Sequence, residues 1–230
     1  MHLRVLGGER FLISSALGHK SAKFLSLAPS PRDAYHAAFM ASKSSSRPAN
    51  IREKGQLMSP SEIERTLIRL AHEIIERNNG VKDLGFVGVR RRGVPLAQRL
   101  AKMIGRIEKT PVPVGTLDIT LYRDDLSTLG PKPVVQKTEI GFPISDKAII
   151  LVDDVLYTGR TARAAMDALF HEGRPRTVEL CVLIDRGHRE LPIEASYIGR
   201  KVQTTDLEII EVRLQEVDDE ERVMLMERKG

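Results

Sequence analysis

The segment Ile149-Ile150-Leu151-Val152-Asp153-Asp154-Val155-Leu156-Tyr157-Thr158-Gly159-Arg160-Thr161 constrains this 230-residue chain more than any other. Its unbroken aliphatic start reads as a strand buried on both faces, the kind found inside parallel sheets. Such a strand delivers Asp153 and Asp154 to its carboxyl end. Thr158, Gly159 and Thr161 then form a turn that opens a helix. Backbone N–H groups at a helix start, helped by threonine hydroxyls, make an anion pocket, and glycine lets the backbone approach closely. Carboxylates at a strand tip suit ribose hydroxyls or the water shell of Mg²⁺. A ligand with a phosphate at one end and a diol in the middle satisfies both halves. The competing reading is an acidic N-cap pair followed by a solvated turn.

The flanking sequence repeats the strand–helix alternation. Ser59-Pro60-Ser61-Glu62 carries a cap serine, a first-turn proline and a glutamate three residues on, which predicts a helix start. Ile63, Leu67, Leu70, Ala71, Ile74 and Ile75 share one face, Arg65, Arg69 and His72 lie opposite, and Asn78-Asn79-Gly80 stops the helix. Leu84 to Val89 reads as a buried strand, Arg90 to Gly93 as a loop and Val94 to Ile104 as a helix. Pro111 to Asp118 starts another strand. Residues 119–143 are polar and proline-punctuated, the signature of a flap or hairpin. A helix to about Phe170 and a strand from Thr177 to Ile184 follow, while the acidic run Asp218 to Glu221 reads as a solvated turn before a last strand. The expected fold class is α/β, a doubly wound parallel sheet with its ligand crevice at the carboxyl ends of the strands.

Charge divides the chain. Of 36 Lys and Arg and 31 Asp and Glu, residues 1–57 hold nine basic and three acidic side chains, together with nine serines. The global excess of +5 therefore belongs to the leading segment, and 58–230 is close to neutral. Two domains are expected: a basic, Ser-rich, poorly ordered extension over 1–57 with no part in the chemistry, and a body over 58–230 for which Met58 would serve as a start. The extension has the composition of a transit peptide and equally that of translated upstream codons; it contains no convincing secretory signal. The single Cys181 excludes an internal disulfide and any multi-cysteine zinc site. The longest apolar run, Ala148 to Val152, falls far short of the roughly 20 residues a membrane-spanning helix needs.

The acidic-pair segment resembles the phosphoribosyl-pyrophosphate (PRPP) signature of type I phosphoribosyltransferases: four hydrophobics, two acids and a Thr-Gly-x-Thr loop. Three stretches, Asp118-Ile119-Thr120-Leu121-Tyr122-Arg123-Asp124-Asp125-Leu126, Asp153 to Thr161, and Asp185-Arg186-Gly187-His188-Arg189-Glu190-Leu191-Pro192-Ile193, are similar to the PyrR proteins. These are bacterial regulators of pyrimidine-biosynthesis operons that are also uracil phosphoribosyltransferases. The resemblance covers about residues 60–227.

It implies the type I phosphoribosyltransferase fold, a central parallel sheet flanked by helices with a flap and hood, and the reaction of uracil with PRPP to UMP and pyrophosphate. It places Asp153 and Asp154 on the ribose and the loop Val155, Leu156, Tyr157, Thr158, Gly159, Arg160 and Thr161 around the 5′-phosphate. Arg90, Arg91, Arg92 and Gly93 match the pyrophosphate loop, although Arg91 stands where Thr or Lys is common; their bland alternative is a solubilising basic turn. Arg123, with Tyr122 and Asp124, would lie on a flap that excludes water, and Asp185, Arg186 and Gly187 would meet uracil, the alternative there being a cap on the core strand. Mg²⁺ would arrive mainly with PRPP and water rather than through a dedicated protein site. Arg69, His72, Arg77 and Arg200 fall where the family binds RNA, although charged helix faces are commonly just solvated. The implied partners are PRPP, uracil, UMP or UTP, and pyrimidine-operon leader mRNA, with no membrane, a cytoplasmic location and a homodimer or higher homo-oligomer. Two alternatives stay open: a phosphoribosyltransferase for uracil or a purine base without RNA binding, and a nucleotide sensor with vestigial catalysis.

Overall fold

Leu84–Val89 (β2) and Ala148–Leu156 (β4) sit side by side at the centre of a parallel sheet because nearly every one of their residues is apolar and buried. A computed structural model describes residues 51–122 and 137–228. The sheet adds Val114–Leu117 (β3), Thr177–Asp185 (β5) and Tyr197–Lys201 (β6), in the order β3-β2-β4-β5-β6. Successive side chains of a strand point to opposite faces, and the core divides accordingly. Phe86, Ile150, Val152, Cys181 and Leu183 pack on one side with Pro60–Arg77 (α1) and Gly93–Ile107 (α2). Val87, Val89, Ile149, Leu151 and Val182 pack on the other with the alanines and Leu169 of Arg160–Glu172 (α3). The expected α/β class and helix-flanked parallel sheet are thus present, with helix ends one to three residues beyond the expected ones.

The start of α1 follows its sequence: Glu62 reaches back to accept the Ser59 N–H at 2.8 Å and the Ser59 hydroxyl at 2.7 Å. The edge strand β6 does not leave its carbonyls bare. Arg69 donates to Ile198 and Gly199 oxygens, both at 2.8 Å, and Arg77 donates to Ser196 oxygen at 2.7 Å while lying over the Tyr197 ring.

A second sheet forms the hood. Ile51–Met58 (β1) pairs antiparallel with Arg222–Arg228 (β8), which pairs with Glu208–Arg213 (β7), and the short helix Gln215–Asp218 (α4) joins β7 to β8. This corrects the boundary expected between 57 and 58: the folded unit already includes the strand from Ile51. The reason it was missed is chemical. Arg52, Glu53 and Lys54 are exposed, so the strand lacks a clean alternation, and its charges are matched across the hood, Arg52 to Glu227 and Lys54 to Glu208. Residues 1–50 lie outside the described residues.

Candidate functional site

Two loops at the carboxyl ends of adjacent central strands face each other across a cavity of about 390 Å³, lined by Arg90, Arg91, Arg92, Asp118, Ile119, Thr120, Asp153, Asp154, Val155 and Thr161. This is where the alternating strand and helix order predicts a ligand crevice.

The acidic pair sits at the tip of β4 with its conformation fixed locally. The Asp154 N–H donates to Asp153 Oδ1 and the Val155 N–H to Asp154 Oδ1, both at 2.9 Å. Burial, and then the charge of Asp154, push the Asp153 carboxyl well above the ordinary carboxylate value; burial also raises Asp154, against the opposing pull of Arg92. Two buried carboxyls held above their usual range want hydroxyl donors or positive charge. Beyond them Gly159, at φ +92°, turns the chain into α3, and the Arg160 N–H lies 3.4 Å from Thr158 Oγ1. A second hollow of about 70 Å³ runs under this turn between Tyr157, Thr158, Gly159 and Ala162. The 13-residue helix α3 directs its N-terminus at that turn, as an anion site requires.

On the facing side, Arg90 and Arg91 approach the cavity from the end of β2, and their mutual peptide bond is cis. Gly93 starts α2 so close to β4 that a Cβ there would stand 2.2 Å from the Val152 oxygen; no side chain fits. The Arg92 guanidinium is not free for a ligand. It forms a two-bond fork with Asp218, Nε to Oδ2 at 2.9 Å and Nη2 to Oδ1 at 2.8 Å. The acidic run expected to be a solvated turn is therefore an ion-pair clamp: Glu216 and Glu221 both grip Arg99 of α2, with closest contacts of 2.6 Å.

The segment expected at the base, Asp185 to Gly187, is fastened to the Tyr157–Gly159 turn. Arg189 donates to Tyr157 oxygen at 2.8 Å, Gly187 oxygen at 3.1 Å, Ile193 oxygen at 2.9 Å and Asp185 Oδ1 at 2.6 Å, and Thr158 oxygen accepts the N–H groups of Glu190 and Leu191. Arg186 is only 7% exposed. Its guanidinium lies 3.9 Å from the Tyr157 ring centroid and donates to Glu208 oxygen at 2.9 Å, towards β7. Its side chain thus ties the loop to the hood, which leaves Asp185 and the loop backbone nearer the role expected of all three.

The remaining sequence candidates divide. Arg123 and Asp124 lie outside the described residues. Arg69, His72, Arg77 and Arg200 are exposed and lie on α1 and β6, but Arg69 and Arg77 also hold the β6 edge and Arg200 donates to Leu57 oxygen of β1. Sequence reasoning passed over Asp118, Thr120, Arg189 and Asp218 as site residues. Asp118 is 8% exposed and accepts the Thr120 N–H at 2.9 Å. A buried acid at the end of β3, in line with the acids of β4, was the available signal. For Asp218 there was none, because its partner Arg92 is distant in sequence; Arg189 has one near partner, Asp185, and otherwise bonds backbone oxygens.

Cys181 is buried, with its thiol pushed up to about 12 by that burial, so it is no nucleophile. Among the described residues, no helix is long and apolar enough to cross a membrane and no cluster of three or more His, Cys, Asp or Glu is placed to hold a metal ion.

Comparisons agree with this geometry. The phosphoribosyl transferase domain family matches residues 55–217. A bifunctional protein PyrR from Pelotomaculum thermopropionicum is 60% identical over 176 residues, 76% of this chain and 97% of that protein. The bifunctional protein PyrR of Thermus thermophilus is 56% identical over 180 residues, 78% of this chain and 99% of its own length. Among solved structures, a hypoxanthine-guanine phosphoribosyltransferase from Bacillus anthracis superposes with a TM-score of 0.57 at 21% identity, covering 77% of this chain and 99% of that one. The hypoxanthine phosphoribosyltransferase of Trypanosoma cruzi gives 0.58 at 16% identity, covering 77% and 98%; at such identities the likeness concerns the fold. With a threonine–glycine turn, a paired-acid strand tip and a basic loop around one cavity, and with more than half of the aligned residues identical over nearly the full length of these relatives, the chain belongs to the PyrR family of phosphoribosyltransferases.

Proposed function

We propose that this chain regulates pyrimidine-biosynthesis operons by binding leader mRNA in a uridine-nucleotide-dependent way, and that the same cavity converts uracil and PRPP to UMP and pyrophosphate. The observation that carries the reading is the meeting of the Asp153–Thr161 turn and the Arg90–Gly93 loop across one cavity of about 390 Å³. It offers two anion subsites separated by a carboxylate pair, the layout that a sugar with phosphate at one end and diphosphate at the other needs.

The chain's own groups would act mainly by placement and charge. The N-terminus of α3 with Thr158 and Thr161 holds the 5′-phosphate, and Asp153 and Asp154 accept from the ribose hydroxyls. Arg90 and Arg91 then meet the negative charge that grows on the departing diphosphate as positive charge grows at C1 of the ribose. The loop around Asp185 and Gly187 is proposed to meet the edge of uracil. Two adjacent carboxylates, with no cluster of three or more metal-ligating side chains among the described residues, fit a Mg²⁺ ion that the diphosphate carries and that keeps several waters; such an ion would supply countercharge to the leaving group. Arg123 is proposed to act from the flap, and the exposed face of Arg69, His72, Arg77 and Arg200 to meet RNA phosphates, a salt-sensitive contact. A homo-oligomer and a cytoplasmic location complete the proposal.

A screen of bases with PRPP tests the catalytic half. Uracil is expected to turn over, with hypoxanthine and orotate at least about a hundredfold slower, because a polar edge left unpaired in a buried site costs several kcal/mol. Preference for hypoxanthine would replace the assignment with a purine phosphoribosyltransferase.

A further inference from the structure

Asp218 of the hood bonds Arg92, a residue that lines the cavity. Asp218, the last residue of α4, accepts both bonds of the Arg92 fork and also the Leu214 N–H at 3.0 Å. Burial alone would raise its carboxyl, yet the fork from Arg92, the Leu214 N–H and the nearby charges of Arg92 and Arg91 hold it below the ordinary carboxylate value. Neither partner is loosely solvated, with side chains 28% and 15% exposed. The pair is geometrically locked on both sides. Gly93, next to Arg92, is pressed on the Val152 oxygen, and α4 is held to α2 by the grip of Glu216 and Glu221 on Arg99. Arg92 also feels Asp154 across the cavity. Without Asp218, its guanidinium would lose both bonds of the fork and be left between the charges of Asp154 and Glu211.

We infer that Asp218 is a positioning residue for the diphosphate half of the site: by holding Arg92 in a two-bond fork it fixes the Arg90–Gly93 loop in the shape that receives pyrophosphate. The inference rests on the phosphoribosyltransferase reading above and sharpens it. A bidentate arginine–carboxylate pair fixes orientation as well as charge, and loop misplacement of about 1 Å is enough to lose much of the benefit of positioning. The fork reaches only one of the two anion subsites. Ligands with a diphosphate, PRPP and pyrophosphate, therefore depend on Asp218, whereas UMP, which occupies the phosphate turn, ribose and base positions, does not.

The test is calorimetric titration of the full chain with PRPP, with pyrophosphate and with UMP, each with Mg²⁺. Asp218→Asn is expected to weaken PRPP and pyrophosphate about tenfold, and UMP by less than about twofold. Glu64→Gln, an exposed carboxylate of α1 that takes no part in the fork, should leave all three affinities unchanged. Equal weakening of UMP and PRPP would reduce Asp218 to a general support, and unchanged or tighter PRPP binding would show that it merely masks Arg92; either result overturns the inference. A double-mutant cycle guards against an Asp218→Asn protein that folds poorly, since Arg92→Gln/Asp218→Asn leaves no unpaired partly buried charge. Because Asp218 acts through Arg92, the double variant should bind PRPP within about twofold of Arg92→Gln alone; a further tenfold loss would contradict the mechanism. If the unaltered chain binds neither PRPP nor UMP, the phosphoribosyltransferase reading itself falls, and the inference with it.

Discussion

Asp153 carries a conflict between stability and chemistry. Burial and the neighbouring Asp154 raise its carboxyl well above 3.8, so the ligand-free folded protein binds that proton more tightly than the unfolded chain does. Ionisation therefore costs stability: the penalty is absent below the unfolded value, grows as pH rises through the folded one and is complete above it. Asp153→Asn should raise the melting temperature of the ligand-free protein at pH 8 by a few degrees, with the gain closing as the pH falls towards 4, followed by calorimetry. The same change should lower UMP formation at least about tenfold; an unchanged rate would remove Asp153 from the ribose site. Gly93 makes a second residue-scale case. A methyl group there would meet the Val152 oxygen at 2.2 Å, and both partners are backbone, so Gly93→Ala should cost at least about 2 kcal/mol in denaturant unfolding and abolish PRPP binding. The paired acids and the threonine–glycine turn were legible in the sequence because their chemistry is local. The fork of Arg92 was not, since its partner Asp218 lies 126 residues away and an acidic run with no visible partner looks like a solvated turn.

At the scale of elements, the central strands and their helices were readable because continuous burial leaves an apolar run and one-sided burial leaves a period. The hood strand β1 left neither. It lies on a three-stranded sheet with half of its residues exposed, and its stability comes from the ladder to β8 and from charges matched across strands. A chain starting at Met58 would lose that ladder, the Lys54–Glu208 pair and part of the cover over Met224 and Met226. It should melt at least about 5 °C below the full chain, a shift that corresponds to roughly 1 to 2 kcal/mol for a domain of this size, while retained stability would mean that β1 is dispensable. Deleting residues 1–57 is accordingly not the neutral truncation that the charge pattern suggests.

At the scale of the whole molecule, the sequence's net charge of +5 is a poor guide to RNA binding. Nine of the basic residues precede Met58, and many in the body are committed: Arg92 and Arg99 to the α4 turn, Arg213 to Glu211 and Glu220, Arg189 to carbonyls. The RNA surface proposed above consists of a few exposed side chains on α1 and β6. The hood joins the regions that a regulator has to couple. Asp218 touches the Arg90–Gly93 loop, and β1 supplies the Leu57 oxygen that Arg200 grips beside that exposed face. A ligand that fills the cavity thus acts on elements contiguous with the proposed RNA surface, although linkage requires that its affinity differ between RNA-binding and non-binding states.

The central claim is that one cavity serves both chemistry and sensing, and the affinity for pyrimidine-operon leader RNA, measured by fluorescence anisotropy at fixed salt with and without UMP, tests it most directly. The account predicts binding at least about tenfold tighter with UMP, a coupling of about 1.4 kcal/mol, and reversal of that gain when PRPP displaces the nucleotide. RNA affinity indifferent to UMP, in a protein that still makes UMP from uracil and PRPP, would contradict it.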